Sequence, residues 1–300
     1  MSTASVFRKD FTGARRSRML WATAVVLGLI AALLAYVSGE TGGTSTETVQ
    51  SLFRALTLIV SVLLPVVALV ATYLAIAGER EGGGIKFLLS LPNTRRDVFV
   101  GKLASRFGIV AAGVGFMYVA ATSVALTRHG AFPAAVVFGT LLVTVVYGAT
   151  FVTVALSLSA AAASRSRAIA GAFGSYFVLV ILYVFPVVRI RTMVRWVHTT
   201  ILGADPNPDL YNAVQYTSPY LAYRKATNLV VPEELEETVF RRSATGGAEG
   251  DGPETATGAA EAASELPVYL TDEFSVVILA FWLVVSLLLG YWRFEGADLE

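Results

Sequence analysis

Apolar residues gather along the chain in six runs, parted by short polar connections and one long one. The runs cover roughly Met19 to Val37, Leu56 to Ala77, Phe107 to Leu126, Ala134 to Ala163, Ala168 to Val188 and Phe274 to Trp292. A helix needs about 20 predominantly apolar residues to cross the hydrocarbon layer. The pattern therefore predicts an all-α polytopic membrane protein with six transmembrane helices. The fourth run is longer than a bilayer requires, so its helix tilts or projects. Only Ser164, Arg165, Ser166 and Arg167 separate the fourth run from the fifth, which predicts a tight helical hairpin, because one continuous helix would bury two arginines in lipid. Pro65 removes a backbone hydrogen bond and predicts a kink in the second span.

Basic residues set the expected orientation. Arg8, Lys9, Arg15, Arg16 and Arg18 precede the first run; Arg80, Lys86, Arg95, Arg96, Lys102 and Arg106 follow the second; Arg165 and Arg167 follow the fourth. The alternate short connections carry only Arg54 and Arg128. Both termini and the even-numbered connections are thus expected in the cytoplasm. The first run is longer than the apolar part of a signal peptide and reads as an uncleaved anchor. The organisation that follows is an N-terminal amphipathic helix with transmembrane helices 1–5 over residues 1–188, an extracellular loop over 189–275, and the last transmembrane helix with a short cytoplasmic tail over 276–300.

Long loops translocate largely regardless of charge, so basic residues in the outer loop do not oppose this topology. Its start, "RTMVRWVHTTIL", suits a helix lying in the membrane interface. Its middle, "DPNPDLYNAVQYTSPYLAY", is rich in Pro and Tyr and is expected to pack as irregular structure at the outer mouth. Residues 243–265 are small and acidic with no aromatic residue, a composition that predicts disorder. Between Glu233 and Glu273 acids far outnumber the two arginines, Arg241 and Arg242, and an acidic surface adapted to high salt and an ordinary acidic linker are equally compatible with that composition.

Hydrophobic residues make up 55% of the chain and charged ones 15%, which excludes an ordinary soluble core. There is no cysteine, hence no disulfide framework or thiolate site. His129 and His198 stand without a partner at metal-ligand spacing. The interiors of the six runs hold no Asp, Glu, Lys, Arg or His. Ion-coupled carriers and voltage sensors usually place such groups in the membrane, and an intramembrane hydrolase needs a base or metal beside its nucleophile. Gly101-Lys102 is followed by Leu103 and preceded by Arg96 where a first loop glycine should stand, so it fails the phosphate-loop pattern. If the chain moves something against a gradient, the energy must then come from another chain. Gly108 with Ala112, Gly171 with Ser175, and Ala160 to Ala163 provide small-residue pairs suited to close helix packing, within the chain or between copies.

One connection does not read as a solvated loop. In "GEREGGGIKFLLSLPNTRRD", residues 78–97, Glu79, Arg80 and Glu81 cap the end of a span, and Gly82 to Gly84 break the helix. Ile85 to Leu91 has room for about two turns, with Ile85, Leu88 and Leu89 on one face and Phe87 and Leu91 paired at i, i+4. Pro92 stops it. Arg95 and Arg96 are then expected at headgroup level. The leucines must be buried by lipid headgroups or by a cleft on a partner protein, and both readings stand open.

"GEREGGGIKFLLSLPNTRRDVFVGK" resembles the segment after the second span in membrane subunits of type-2 ATP-binding-cassette transporters. There an E-R-E-x-G stretch precedes a leucine-rich coupling helix, a Pro, basic residues and a Gly-Lys. "VFRKDFTGARRSRMLW" is similar to the family's amphipathic helix entering the first span, with Phe7 and Phe11 on one face. "ALSLSAAAASRSRAIAGAF" is similar to its fourth-to-fifth turn, and "SPYLAYR" to its outer stretch before the last span. The nearest flavour is that of permeases encoded beside nitrous-oxide-reductase maturation proteins, and of related archaeal permeases. The resemblance implies a six-span half-transporter that dimerises, with itself or a paired permease, on separate ATPase subunits that bind the ATP; this chain would hold no cofactor and be no enzyme. It implies an ATPase-coupling segment within 78–106, made by Glu79, Arg80, Glu81, Ile85, Phe87, Leu88, Leu89, Leu91, Arg95 and Arg96, with Glu79 and Glu81 contacting the ATPase and the arginines positioning the element. The acidic outer loop departs from the family pattern and suits an extracellular substrate-delivery partner. Membrane lipids are the remaining partners and nucleic acid is not expected. The alternatives from other classes are a non-transporting scaffold or sensor, and a secondary carrier.

Overall fold

The computed structural model describes residues 3–15, 18–37, 44–83, 94–184, 190–231 and 271–296, with the side chains of 14–23 excepted. The expected coupling residues Ile85, Phe87, Leu88, Leu89 and Leu91 and the acidic stretch 243–265 lie outside the described residues. What is described is helical: α1 (Thr3–Arg15), α2 (Arg18–Val37), α3 (Ser45–Thr72), α4 (Ala77–Glu81), α5 (Arg95–His129), α6 (Ala134–Ala161) and α7 (Arg165–Tyr176), which widens into a π-helical turn over Phe177–Ile181 and closes with Leu182–Val184. Then come α8 (Ile190–Trp196, with a π turn Val197–Ile201), α9 (Pro208–Tyr216), α10 (Pro219–Asn228) and α11 (Asp272–Glu295).

Five helical segments among the described residues are long and apolar enough to cross a membrane: Ser45–Glu81, Arg95–His129, Ala134–Ala161, Arg165–Val184 and Asp272–Glu295. They correspond to the second through sixth expected spans, and the chain is a multi-pass membrane protein. The first expected span is helical as α2 over Arg18–Val37, 20 residues long. Local chemistry sets the helix starts. Thr44 and Glu47 form a reciprocal capping box that begins α3 well before Leu56. Thr94 and Asp97 do the same for α5, and Gly130 ends that helix in the left-handed conformation at φ 66°. The hairpin between the fourth and fifth spans is as tight as expected: α6 ends at Ala161, and Ser164 caps α7, so Arg165 and Arg167 sit in its first turn.

The stretch expected to be irregular is instead two helices, α9 and α10. Asn207 and Ser218 cap them by accepting from Leu210 N and Tyr220 N, and each has proline in its first turn, where the missing N–H costs nothing. Helix α10 enters the bundle beside α3, α6 and α11 and buries Tyr220, Leu221, Ala222, Tyr223 and Ala226.

Proline 65 lies inside α3 without ending it. Having no N–H, it leaves the carbonyl of Ser61, four residues earlier, without its helical donor. Tyr147 of α6 donates its hydroxyl to that carbonyl at 2.7 Å, and Tyr176 of α7 donates to the adjacent Val62 carbonyl at 3.3 Å. The Tyr147 ring stacks on Tyr223 of α10 with centroids 4.2 Å apart. Tyr223, Thr144 and Tyr118 continue the chain of hydroxyls at 2.9 and 3.0 Å. These hydroxyls and the two carbonyls beside Pro65 thus find their partners inside the bundle, where lipid offers none.

Helix α1 is amphipathic and its apolar side is covered by α5. Val6 is buried against Gly101, where a Cβ would lie 2.8 Å from the Val6 Cβ, and Phe7 and Phe11 stack beside Gly108. Gly171 faces Leu158 of α6 in the same way. These glycines serve packing within the chain.

Candidate functional site

Helix α1, the turn and helix 73–83, the start of α5, the α6–α7 turn and the end of α11 meet at one end of the bundle. Glu79, Arg80 and Glu81, singled out from the sequence, stand at the centre of this meeting, each engaged by a different neighbour.

Glu79 projects toward α5. Its Oε1 lies 2.9 Å from Lys102 Nζ, and that lysine is only 1% exposed. Asp10 of α1 approaches the same ammonium at 3.5 Å, accepts from Ser105 Oγ at 2.9 Å, and pairs with Arg106 at 3.2 Å. Arg106 also donates to the Ala71 carbonyl at the end of α3, at 3.0 Å. Two cations and two anions balance, which is what burying Lys102 requires, since an unpaired charge there would be severely desolvated. Gly101 and Lys102, which failed as a phosphate loop, have a structural use: the glycine admits Val6 and the lysine binds both carboxylates.

Arg80 and Glu81 face the α6–α7 turn. Arg80 Nη1 donates to the Ala162 carbonyl at 3.0 Å. Glu81 Oε2 accepts from the Arg165 backbone N–H at 2.7 Å, placing a carboxylate at the N-terminal end of α7, where the helix dipole favours it. Beneath them Ser159 of α6, fully buried, accepts from both Ile76 N and Ala77 N at 3.0 Å. It satisfies two donors exposed where the chain turns between α3 and α4. Gly82 ends α4, and Gly83, at φ 72°, takes the left-handed conformation that a glycine adopts without strain.

Arg95 donates to the Phe294 and Glu295 carbonyls at 3.2 and 2.7 Å, capping the end of α11 with a cation. Arg96 is exposed. Asp97, ahead of the apolar run that starts at Phe107, accepts from Thr3 Oγ at 2.6 Å and from Thr94. Those bonds, Thr3's first, hold its carboxyl at about 2, below the ordinary value of 3.8. The structure therefore brings together Glu79, Arg80, Glu81 and Arg95. Sequence reasoning missed Asp10, Ser159 and the N–H of Arg165, whose roles depend on contacts between distant parts of the chain.

The described residues hold no group of three or more His, Asp or Glu able to bind a metal ion. His129 ends α5, and His198 shares a 2.9 Å hydrogen bond with Tyr211.

Comparison with known proteins agrees with this architecture. The chain is 29% identical over 301 residues to the probable ABC transporter permease protein NosY of Stutzerimonas stutzeri, covering 96% of this chain and 95% of that one. It is 30% identical over 189 residues to the protein of the same name from Pseudomonas aeruginosa, covering 60% and 67%. The family model for the ABC-2 family transporter protein matches residues 4–299, essentially the whole chain. The chain belongs to the ABC-2 transporter family.

Proposed function

We propose that this ABC transporter permease subunit spans the membrane six times, with both termini in the cytoplasm, and couples ATP hydrolysis by a separate ABC ATPase subunit to export of a substrate. ATP is bound by that partner. The segment Gly84 to Leu91 docks on the ATPase through Ile85, Phe87, Leu88, Leu89 and Leu91, while Glu79, Arg80, Glu81, Arg95 and Arg96 hold it in place. Two permeases, identical or paired, sit on two ATPases, and ATP binding draws their coupling segments together. The path between the first, second, fourth and fifth spans then changes from inward to outward access. The extracellular loop serves a substrate-delivery partner.

One observation carries this reading: the basic connections, α1 and the end of α11 gather at one end of the bundle, around the element that leads into the leucine-rich segment. Such convergence supports a docking face at that end. The test is co-purification of the chain with its co-expressed ABC ATPase subunit. Glu79→Ala combined with Glu81→Ala is expected to weaken the complex; full retention of ATPase binding and transport would overturn the assigned role.

A further inference from the structure

Helix α4 has five residues and is not a smooth extension of α3, because the chain turns over residues 73–76. Its attachments are unequal. Toward α5 its polar attachment is only between the tips of two flexible side chains, Glu79 and Lys102, beside the apolar cluster that Ile76 shares with Val98 and Phe99. Toward the α6–α7 turn every attachment involves main chain. Ser159 binds the N–H groups of Ile76 and Ala77, Arg80 binds the Ala162 carbonyl, Glu81 binds the Arg165 N–H, and Arg165 Nη2 returns to the Gly78 carbonyl at 3.5 Å. Ala77 also packs with Ala162 and Ala168 in a small apolar cluster. Bonds to main chain at both ends of so short an element fix its position and its rotation. An ion pair between side-chain tips can follow a shift by changing rotamers.

We propose that α4 and the α6–α7 turn form one rigid unit, fastened by Ser159, Arg80 and Glu81, through which movement of the coupling segment is delivered to the fourth and fifth spans. This rests on the permease reading above. Ser159 is the central positioning residue: it lies outside the docking segment, yet it fixes the start of the element that leads there. Helix α5 and its attached α1 are then the side across which the unit slides, with Glu79 and Lys102 as the joint. Hydrogen-bond networks that join rigid elements are one route by which coupling travels between sites.

The chain contains no cysteine, so spin labels can be attached at chosen positions of this chain alone before the ATPase subunit is added. Labels at Gly82→Cys and Arg167→Cys, in the permease–ATPase complex reconstituted in lipid nanodiscs, report the separation of α4 from the turn. The distance distribution is expected to be the same without nucleotide and after trapping with ATP and vanadate. A shift of several ångström between the two states would overturn the rigid unit. Ser159→Ala is expected to keep the ATPase subunit bound, to broaden that distribution, and to reduce permease-dependent ATP hydrolysis by about threefold or more. Unchanged hydrolysis and an unbroadened distribution in Ser159→Ala would overturn its positioning role. If no ATPase binds even the unmodified chain, the permease reading itself fails, a result distinct from either.

Discussion

Replacing Tyr147 by Phe isolates one hydrogen bond at the centre of the bundle. The side chain is fully buried, and phenylalanine keeps the ring, its stacking on Tyr223 and its packing. Only the donor to the Ser61 carbonyl is lost. That carbonyl has no helical alternative while Pro65 stands four residues later, and an unsatisfied buried acceptor costs about 2 kcal/mol. For a chain of this size the apparent melting temperature should fall by about 5 °C. Pro65→Ala restores an N–H that can reach Ser61, so in that background Tyr147→Phe should cost far less. The coupling between the two substitutions is expected to exceed about 1 kcal/mol. Thermal unfolding in lipid nanodiscs, followed by the fluorescence of the four tryptophans, gives all corners of the cycle. An equal cost of Tyr147→Phe in both backgrounds would refute the assignment of this hydroxyl to the proline's orphan carbonyl.

Lys102→Met should destabilise the protein by about 3 kcal/mol, the low end for breaking a buried pair because Glu79 is 27% exposed, and adding Glu79→Gln should recover much of the loss in the same assay. Gly139→Ala brings a methyl group into the Cγ1 of Val230 after α10; a cost of about 1–3 kcal/mol is expected, relieved by Val230→Ala. Asp97 has its pKa depressed from 3.8 to about 2, so its bonds stabilise the fold fully above pH about 4 and are lost as pH falls toward 2. Chemical unfolding of Asp97→Asn across that window should show a flatter pH dependence than the parent, and an identical dependence would exclude this role.

The long spans were legible because an apolar run of membrane length is a local property of sequence. The hairpin at Ser164 to Arg167 was legible for the opposite reason: its arginines forbid a continuous helix in lipid. Helices α9 and α10 were not, since Pro and Tyr suggested irregular chain. The signal was nonetheless present in Asn207-Pro208 and Ser218-Pro219, each a capping side chain followed by a proline at the first helical position. Glu79, Arg80 and Glu81 were recognisable as an element, but their partners were not. Asp10 and Lys102 stand 92 residues apart, and Ser159 stands 83 from Ile76. Nothing in the local pattern distinguishes that serine from Ser157, the other serine of α6. The Gly101-Lys102 pair had been noticed for lacking a phosphate loop's neighbours, whereas its use depends on α1 crossing α5 at that point.

The widened turn at Phe177–Ile181 bears on how this chain tolerates insertions and deletions. It holds one more residue than an α-helical turn, and Ser218, at the head of α10, donates to the Leu179 carbonyl within it at 2.8 Å. Removing a single residue there would let the fifth span run as an ordinary helix. It would also rotate everything beyond by about 100°, turning the Leu179 carbonyl away from Ser218. The extra residue thus acts as a phase setting, matching the face of the fifth span to the inserted helix. Relatives that lack it must anchor that helix by other means.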